Sequence, residues 1–382
     1  MSLRVTGIGC GVLLVLAACG SQPAAPPAPG TAASSSPAAS TAASAKPAAS
    51  GAAGAPVSGK PAPVIVRVAT QHVTGNAGIY IARDKGYFAQ QGLDVRYVDA
   101  GATDQMIPPL ATGTVDAITV GIISSVLNAM VRIPEIKIVA DSGGASADPN
   151  NGFSAAFGLQ ISKQSAESGR IKDYKDLKGK IYGATSSGGS TAEIVLEKAL
   201  NKGGLTLNDI TSKLMTFADL PIAVSNGSID FGGGPEPILS QGVAKGLWVR
   251  WKNGAEIYPG AQIAALYFGP HMTQLGSDVE KRFMVAYTQG LRDYNDAFGP
   301  RRKNRAEMVN ILIKNTAVKD PAIYDRMTWN YMNPNCSINL QTFPNDLEWY
   351  ATRGFTPKLD IAKVVDDSFC QAAVKQLGPY QP

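Results

Sequence analysis

From residue 64 to the C-terminus, short runs of β-branched and apolar residues alternate with stretches in which apolar positions recur every three or four residues. The first pattern reads as strand and the second as amphipathic helix. Strands are expected at 64–69, 93–98, 116–120 and 136–140. Helices fall between them: one after Asn76, which is placed to cap it, one through 106–111, and one at 125–131. The alternation then repeats, with strands at 156–162, 180–184, 213–216, 229–232 and 262–268, and a helix at 191–202. Thereafter the pattern is helical, at 279–298, 305–315, 321–331, 346–354 and 360–377. Strands separated by helices imply mostly parallel sheets with both faces covered. The fold class is therefore α/β, with two lobes. A strand near Ala156 leaves the first lobe and one near Gln262 returns to it, which gives two crossings, at 151–156 and 260–264.

Residues 1–63 follow neither pattern. They hold no Asp or Glu and only Arg4, Lys46 and Lys60 as charged residues. Residues 5–18 form an apolar run, too short to span a bilayer comfortably but suited to a signal segment. The run ends in Leu16-Ala17-Ala18-Cys19-Gly20, which resembles a bacterial lipobox. We therefore expect a lipoprotein signal peptide over 1–18 and lipidation of Cys19. The stretch 21–63 is almost wholly Ala, Pro, Ser, Gly and Thr and cannot bury a core. It reads as a linker whose reach, if extended, is on the order of 130 Å.

Composition narrows the chemistry. Outside that leader the chain has 32 basic and 30 acidic residues, a near-neutral balance that argues against a nucleic-acid partner. Neither His72 nor His271 joins a cysteine at zinc-ligand spacing, so no metal and no cofactor are expected. No G-x-S-x-G elbow or H-E-x-x-H pair occurs, and no paired acid and base stands out; the expectation is a protein that is not an enzyme. With Cys10 in the signal and Cys19 modified, Cys336 and Cys370 remain in an exported domain and are expected to pair.

The residues 81–95, Ile-Ala-Arg-Asp-Lys-Gly-Tyr-Phe-Ala-Gln-Gln-Gly-Leu-Asp-Val, resemble the opening of one family of solute-binding proteins. The family binds nitrate, sulfonate, taurine, thiamine-precursor pyrimidine or riboflavin. The likeness continues through 110–118, 176–183, 224–230 and 364–369, in order. It implies the type II periplasmic-binding-protein fold, with two lobes closing about a hinge on a small molecule. It also implies delivery to an ABC permease with its ATPase. The expected organisation is 64–155 for the first part of lobe 1, 156–261 for lobe 2, and 262–382 for the rest of lobe 1 with C-terminal helices.

Ligands of such sheets sit outside the carboxyl ends of the strands, which selects the candidate site. In lobe 1 these are Gln71, His72, Asn76 and Tyr80, with Gly121 and Ile122 after the third strand and Asp141 after the fourth. In lobe 2 the segment 183–191 nearly spells a P-loop, but Gly189 stands where the phosphate-binding lysine belongs. Its Ser186, Ser187, Gly188, Gly189, Ser190 and Thr191 still offer hydroxyl and N–H donors at a helix start, and Ser190 with Glu193 forms a capping box. Glu236, in a Gly- and Pro-rich loop, offers a carboxylate to an amine or ring N–H, so donors and acceptor together favour a zwitterion or polar heterocycle. The expectation is a monomeric, membrane-anchored extracytoplasmic receptor of an importer. The rival readings are a ligand-presenting sensor and a pyrimidine-precursor synthase, the latter carrying a cysteine cluster that this chain lacks.

Overall fold

The computed structural model describes residues 62–381 except 101, 102, 149, 156, 187 and 277. Cys19, the linker and Ser187 lie outside the described residues. Among the described residues, ten strands form two five-stranded sheets. The strands are β1 (Val64–Thr70), β2 (Leu93–Asp99), β3 (Ala117–Gly121), β4 (Lys137–Gly144), β5 (Gly158–Ile161), β6 (Ile181–Ala184), β7 (Thr211–Leu214), β8 (Phe231–Gly233), β9 (Val249–Asn253) and β10 (Gln262–Phe268). The first sheet runs β2-β1-β3-β10-β4 and the second β7-β6-β8-β5-β9.

The two sheets are topological copies. β1 pairs parallel with β2 and β3, as β6 does with β7 and β8. The sheets are mostly parallel, as expected, with one reversed strand in each. β10 runs antiparallel to β3 and β4, and β5 runs antiparallel to β8 and β9. These are the two strands that arrive from the other lobe. A chain leaving one sheet at its carboxyl edge enters the next at the same edge and must run backwards through it. β9 carries Arg250 and Lys252 and has no apolar run, which hides it from a pattern reading; charges suit its position at a sheet edge.

One acidic residue does the same work in each copy. The backbone N–H of Arg67 donates to the Asp116 carboxylate at 2.7 Å, while the Asp116 N–H donates back to the Arg67 carbonyl at 2.8 Å. In lobe 2 Ile181 and Asp230 repeat the exchange at 2.9 and 2.8 Å. Each pair thus fixes how a helix-to-strand turn meets the start of the neighbouring strand. Asp116 also receives the Arg67 guanidinium and faces His271 Nδ1 at 2.6 Å, which places His271 in this structural cluster.

Lobe 1 is anchored by the 20-residue helix Val279–Phe298, most of whose residues are buried. It crosses the helix Ala77–Asp84 so closely that a Cβ at Gly290 would stand 2.2 Å from the Gly78 carbonyl oxygen, so only glycine fits. The last expected helix is split, into Ile361–Val364 and Ser368–Leu377, and 321–331 is helical only over Pro321–Arg326. Cys336 and Cys370 are disulfide-bonded, with Cα atoms 5.6 Å apart, and tie the loop before the C-terminal helices to the last of them. A second apolar core includes Ile122 and Ile123 of lobe 1, Leu159 and Ile194 of lobe 2, and Tyr350 of the C-terminal region, so the lobes share buried surface.

Candidate functional site

A cavity of about 140 Å³ lies where the carboxyl ends of the two sheets face each other. Lobe 1 contributes Gln71 and Asn76 after β1, Thr119 to Ile123 at the end of β3, and Ser142 to Gly144 at the end of β4. Lobe 2 contributes Thr185 and Ser186 after β6, Ser190 to Ala192 at the next helix start, Phe217 beyond β7 and Pro235 beyond β8. Phe157, Ile263 and Asn330 also line the cavity. Of the residues expected from sequence, Gln71, Asn76, Gly121, Ile122, Ser186, Ser190 and Thr191 meet around this one space.

The lobes touch directly at two places beside the cavity. The Ser124 N–H donates to the Gly189 carbonyl at 2.7 Å, and Ser124 Oγ to the Gly188 carbonyl at 3.1 Å. The Thr191 N–H returns to the Ile122 carbonyl at 3.1 Å, which also accepts Tyr350 Oη at 2.8 Å. Gly188 and Gly189 therefore meet the other lobe instead of lining the cavity. Gly189 has φ of +67°, and a Cβ there would stand 2.8 Å from the Ser124 side chain. At the second contact, the Thr74 N–H and Oγ1 donate to the Glu236 carbonyl at 3.3 and 3.0 Å.

The helix Thr191–Lys202 starts as its sequence demands: Ser190 is the N-cap and its Oγ accepts the Glu193 N–H at 3.2 Å. The reciprocal half of the box is shifted by one residue. The Glu193 carboxylate takes the Gly189 N–H at 2.7 Å, and burial raises the pKa of that carboxyl above its ordinary value. Asn76 stands before its helix but its side chain makes no cap bond. Its Nδ2 donates instead to Tyr80 Oη at 3.4 Å.

Four of the expected residues do not line this cavity, and their side chains are engaged elsewhere. Tyr80 is fully buried in the lobe 1 core, edge-on to Tyr97 at 5.4 Å, and burial pushes its hydroxyl up to about 12. His72 adopts φ of +55°, and its two ring nitrogens each sit 2.9 Å from an oxygen, of the Asn315 carbonyl and of Asp99. The Asp141 carboxylate accepts Gln262 Nε2 at 2.6 Å, the Asn333 N–H at 2.6 Å and the Gly143 N–H at 2.8 Å; burial lifts its pKa from 3.8 to about 6. It fastens β4 to β10 and to the Asn333 turn.

Glu236 departs furthest from expectation. Its side chain is completely buried. Oε1 accepts Arg250 Nη2 at 2.7 Å, Ser240 Oγ at 3.1 Å, Thr328 Oγ1 at 3.0 Å and the Thr328 N–H at 3.2 Å. Oε2 accepts the Ser240 N–H at 3.0 Å. This carboxylate binds lobe 2 internally and reaches Thr328 of lobe 1; it has no face toward the cavity. Sequence reasoning passed over Thr119, Phe157, Phe217 and Asn330. Thr119 and Phe217 carry a faint signal, since each lies within a few residues of a strand's carboxyl end; Asn330 arrives from a distant segment and carries none.

Among the described residues no cluster of three or more His, Cys, Asp or Glu side chains is arranged to hold a metal, and no helix is long and apolar enough to cross a membrane. Compared with known families, residues 73–143 and 157–254 match the family described as NMT1/THI5 like. No curated protein matches. Among solved structures the chain is similar to the periplasmic aliphatic sulphonate binding protein SsuA from Escherichia coli, at 19% identity and TM-score 0.61, over 80% of this chain and 92% of that one. It is similar to the periplasmic nitrate-binding protein NrtA from Synechocystis at 15% identity and TM-score 0.65, over 83% and 89%. A ligand-binding component of an ABC-type import system from Staphylococcus aureus, with zinc bound, aligns at 14% identity and TM-score 0.66, over 81% and 98%. These likenesses establish the periplasmic-binding-protein fold.

Proposed function

We propose that this chain, of the NMT1/THI5-like family, is the extracytoplasmic solute-binding component of an ABC importer, held to a membrane through lipidated Cys19. The observation that carries the reading is the cavity itself: it is walled by the carboxyl ends of both sheets, and the lobes meet beside it through main-chain hydrogen bonds. A solute there contacts both lobes only when they are together. It favours the closed arrangement by its differential affinity for that state. The importer-type names of the structural neighbours support the same role, as do the order of family motifs and the leader sequence.

A binding role is favoured over catalysis by the cavity's side chains. They are hydroxyls, amides and apolar groups, with no acid, base or thiol among the described lining residues. The long Ala/Pro/Ser linker lets a tethered monomer travel between bulk solution and a permease fixed in the same membrane.

The mechanism is tested by small-angle scattering during a solute screen. A bound solute should compact the protein, and hydrogen exchange should slow together at Ser124, Thr191 and Thr74, whose N–H groups cross between lobes. Binding without either change would end the crevice mechanism. Mass analysis of membrane-fraction protein should show an acylated Cys19 at the N-terminus, lost in Cys19→Ala; a soluble, unmodified mature protein would refute the anchor.

A further inference from the structure

We propose that the interlobe cavity takes an uncharged solute about the size of a single ring, an aromatic or heteroaromatic body with one or two hydrogen-bonding substituents, and discriminates against anions, cations and zwitterions. The inference deepens the solute-binding reading above and rests on it.

Size is the first argument. A closed space of about 150 Å³ accommodates one benzene molecule; this cavity is about 140 Å³ and partly open to solvent, so its inner part takes a single ring.

Charge is the second. No Asp, Glu, Lys, Arg or His lines the cavity among the described residues. Several charged residues next in sequence to lining residues already have partners, and Asp104, beside Thr103, accepts Ser125 Oγ. Glu236 is paired with Arg250, Asp141 is satisfied by three donors, and His72 is held between Asp99 and the Asn315 carbonyl. An ion moved from water into such a space finds no counter-charge, and burying an unpaired ion is strongly unfavourable. The helix start at Thr191, a feature suited to an anion, is largely spent. Ser190 Oγ accepts the Glu193 N–H, the Thr191 N–H goes to Ile122, and the Glu193 carboxylate already places negative charge in the first turn.

The third argument is what remains for a ligand to satisfy. Gln71 and Ser186, half-buried at the cavity wall, offer an amide and a hydroxyl. A neutral amide, ring nitrogen or hydroxyl on the solute pairs with these without bringing a charge inside. Phe157, Phe217, Ile122 and Ile263 supply apolar walls for the rest of such a molecule.

The test is a ligand-observed NMR screen of the full chain. It uses fragments of roughly six to twelve non-hydrogen atoms, a size set by the cavity, in neutral, anionic, cationic and zwitterionic sets of equal number. Ser186→Trp, which fills the cavity from a loop, is the blocked reference. Matched pairs, benzamide with benzoate and benzenesulfonamide with benzenesulfonate, are then titrated by calorimetry alongside taurine and nitrate. The neutral partner of a pair should bind at least about tenfold tighter, and the blocked variant should lose it. Benzoate, benzenesulfonate, taurine or nitrate binding as tightly as the neutral probes overturns the proposal, as does a screen in which no neutral fragment depends on the cavity. If a charged solute binds and compacts the protein, the solute-binding reading stands and only this inference falls. If bound fragments are indifferent to Ser186→Trp, the cavity reading itself falls.

Discussion

Replacing Glu236 by alanine separates two accounts of this loop. A ligand contact on a cleft surface would lose affinity and keep its stability. The structure gives the opposite result. Glu236→Ala removes the acceptor of five hydrogen bonds from Arg250, Ser240 and Thr328, and leaves the Arg250 guanidinium beside a buried hole. Breaking a buried ion pair by deleting one member costs about 3–5 kcal/mol. The Arg250 side chain keeps 35% of its surface exposed, so water recovers part of its charge and the lower half of that range applies. For a folded part of this size the loss corresponds to a fall of roughly 4–6 °C in melting temperature. Two of the five bonds run to Thr328, across the lobe boundary, so scattering should also show a larger radius of gyration for the variant. Scanning calorimetry and scattering on parent, Glu236→Ala and Glu236→Gln provide the readout; glutamine keeps an acceptor and should retain part of the stability. An unchanged melting temperature in Glu236→Ala, with solute affinity lost, would refute the reasoning and return the carboxylate to the ligand.

Three further outcomes are expected. Ser190→Ala removes the cap on the Glu193 N–H and should cost about 1 kcal/mol in urea denaturation; Ser190→Asp, which keeps a capping oxygen, should recover most of it. Reducing the Cys336–Cys370 bond, which spans a sequence separation of 34, should lower stability by roughly 3–4 kcal/mol, and a double serine variant should match the reduced parent and ignore reductant. Asp346 is almost wholly buried, with Tyr258 Oη donating to one oxygen at 2.8 Å and no partner for the other among the described residues; burial lifts its pKa from 3.8 to about 7. The folded state therefore holds this proton more tightly than the unfolded chain, so its contribution is complete below about pH 4 and lost as pH rises through about 7. Asp346→Asn should flatten that decline and exceed the parent by roughly 2–4 kcal/mol near pH 8; a variant less stable than the parent at that pH would contradict it.

The strands and long helices were legible because their patterns are set by burial: β1, β2 and β10 and the helix Val279–Phe298 each carry an apolar face at the right period. The direction of β5 and β10 was not, because a strand's own sequence does not record which end of a sheet the chain enters. The site was legible only as far as strand ends predict it. Gln71, Asn76, Ile122 and Thr191 follow from that rule, and so would Tyr80, His72, Asp141 and Glu236, which the rule selects equally well. What separates the two groups is long-range pairing. Asp141 is claimed by Asn333, His72 by Asn315, and Glu236 by Thr328, partners about 90 to 240 residues away. The near-P-loop segment misleads for a related reason: its glycines carry a close approach to Ser124, where phosphate binding would have been the motif's other use.

The central claim is that one small solute is held in the space between the lobes, and native mass spectrometry of gently purified protein addresses it most directly. The account predicts a single non-covalent adduct on the parent chain, of ring-sized mass and released as a neutral molecule, that is absent from Ser186→Trp prepared in parallel. An adduct retained equally by the cavity-filled variant would contradict it.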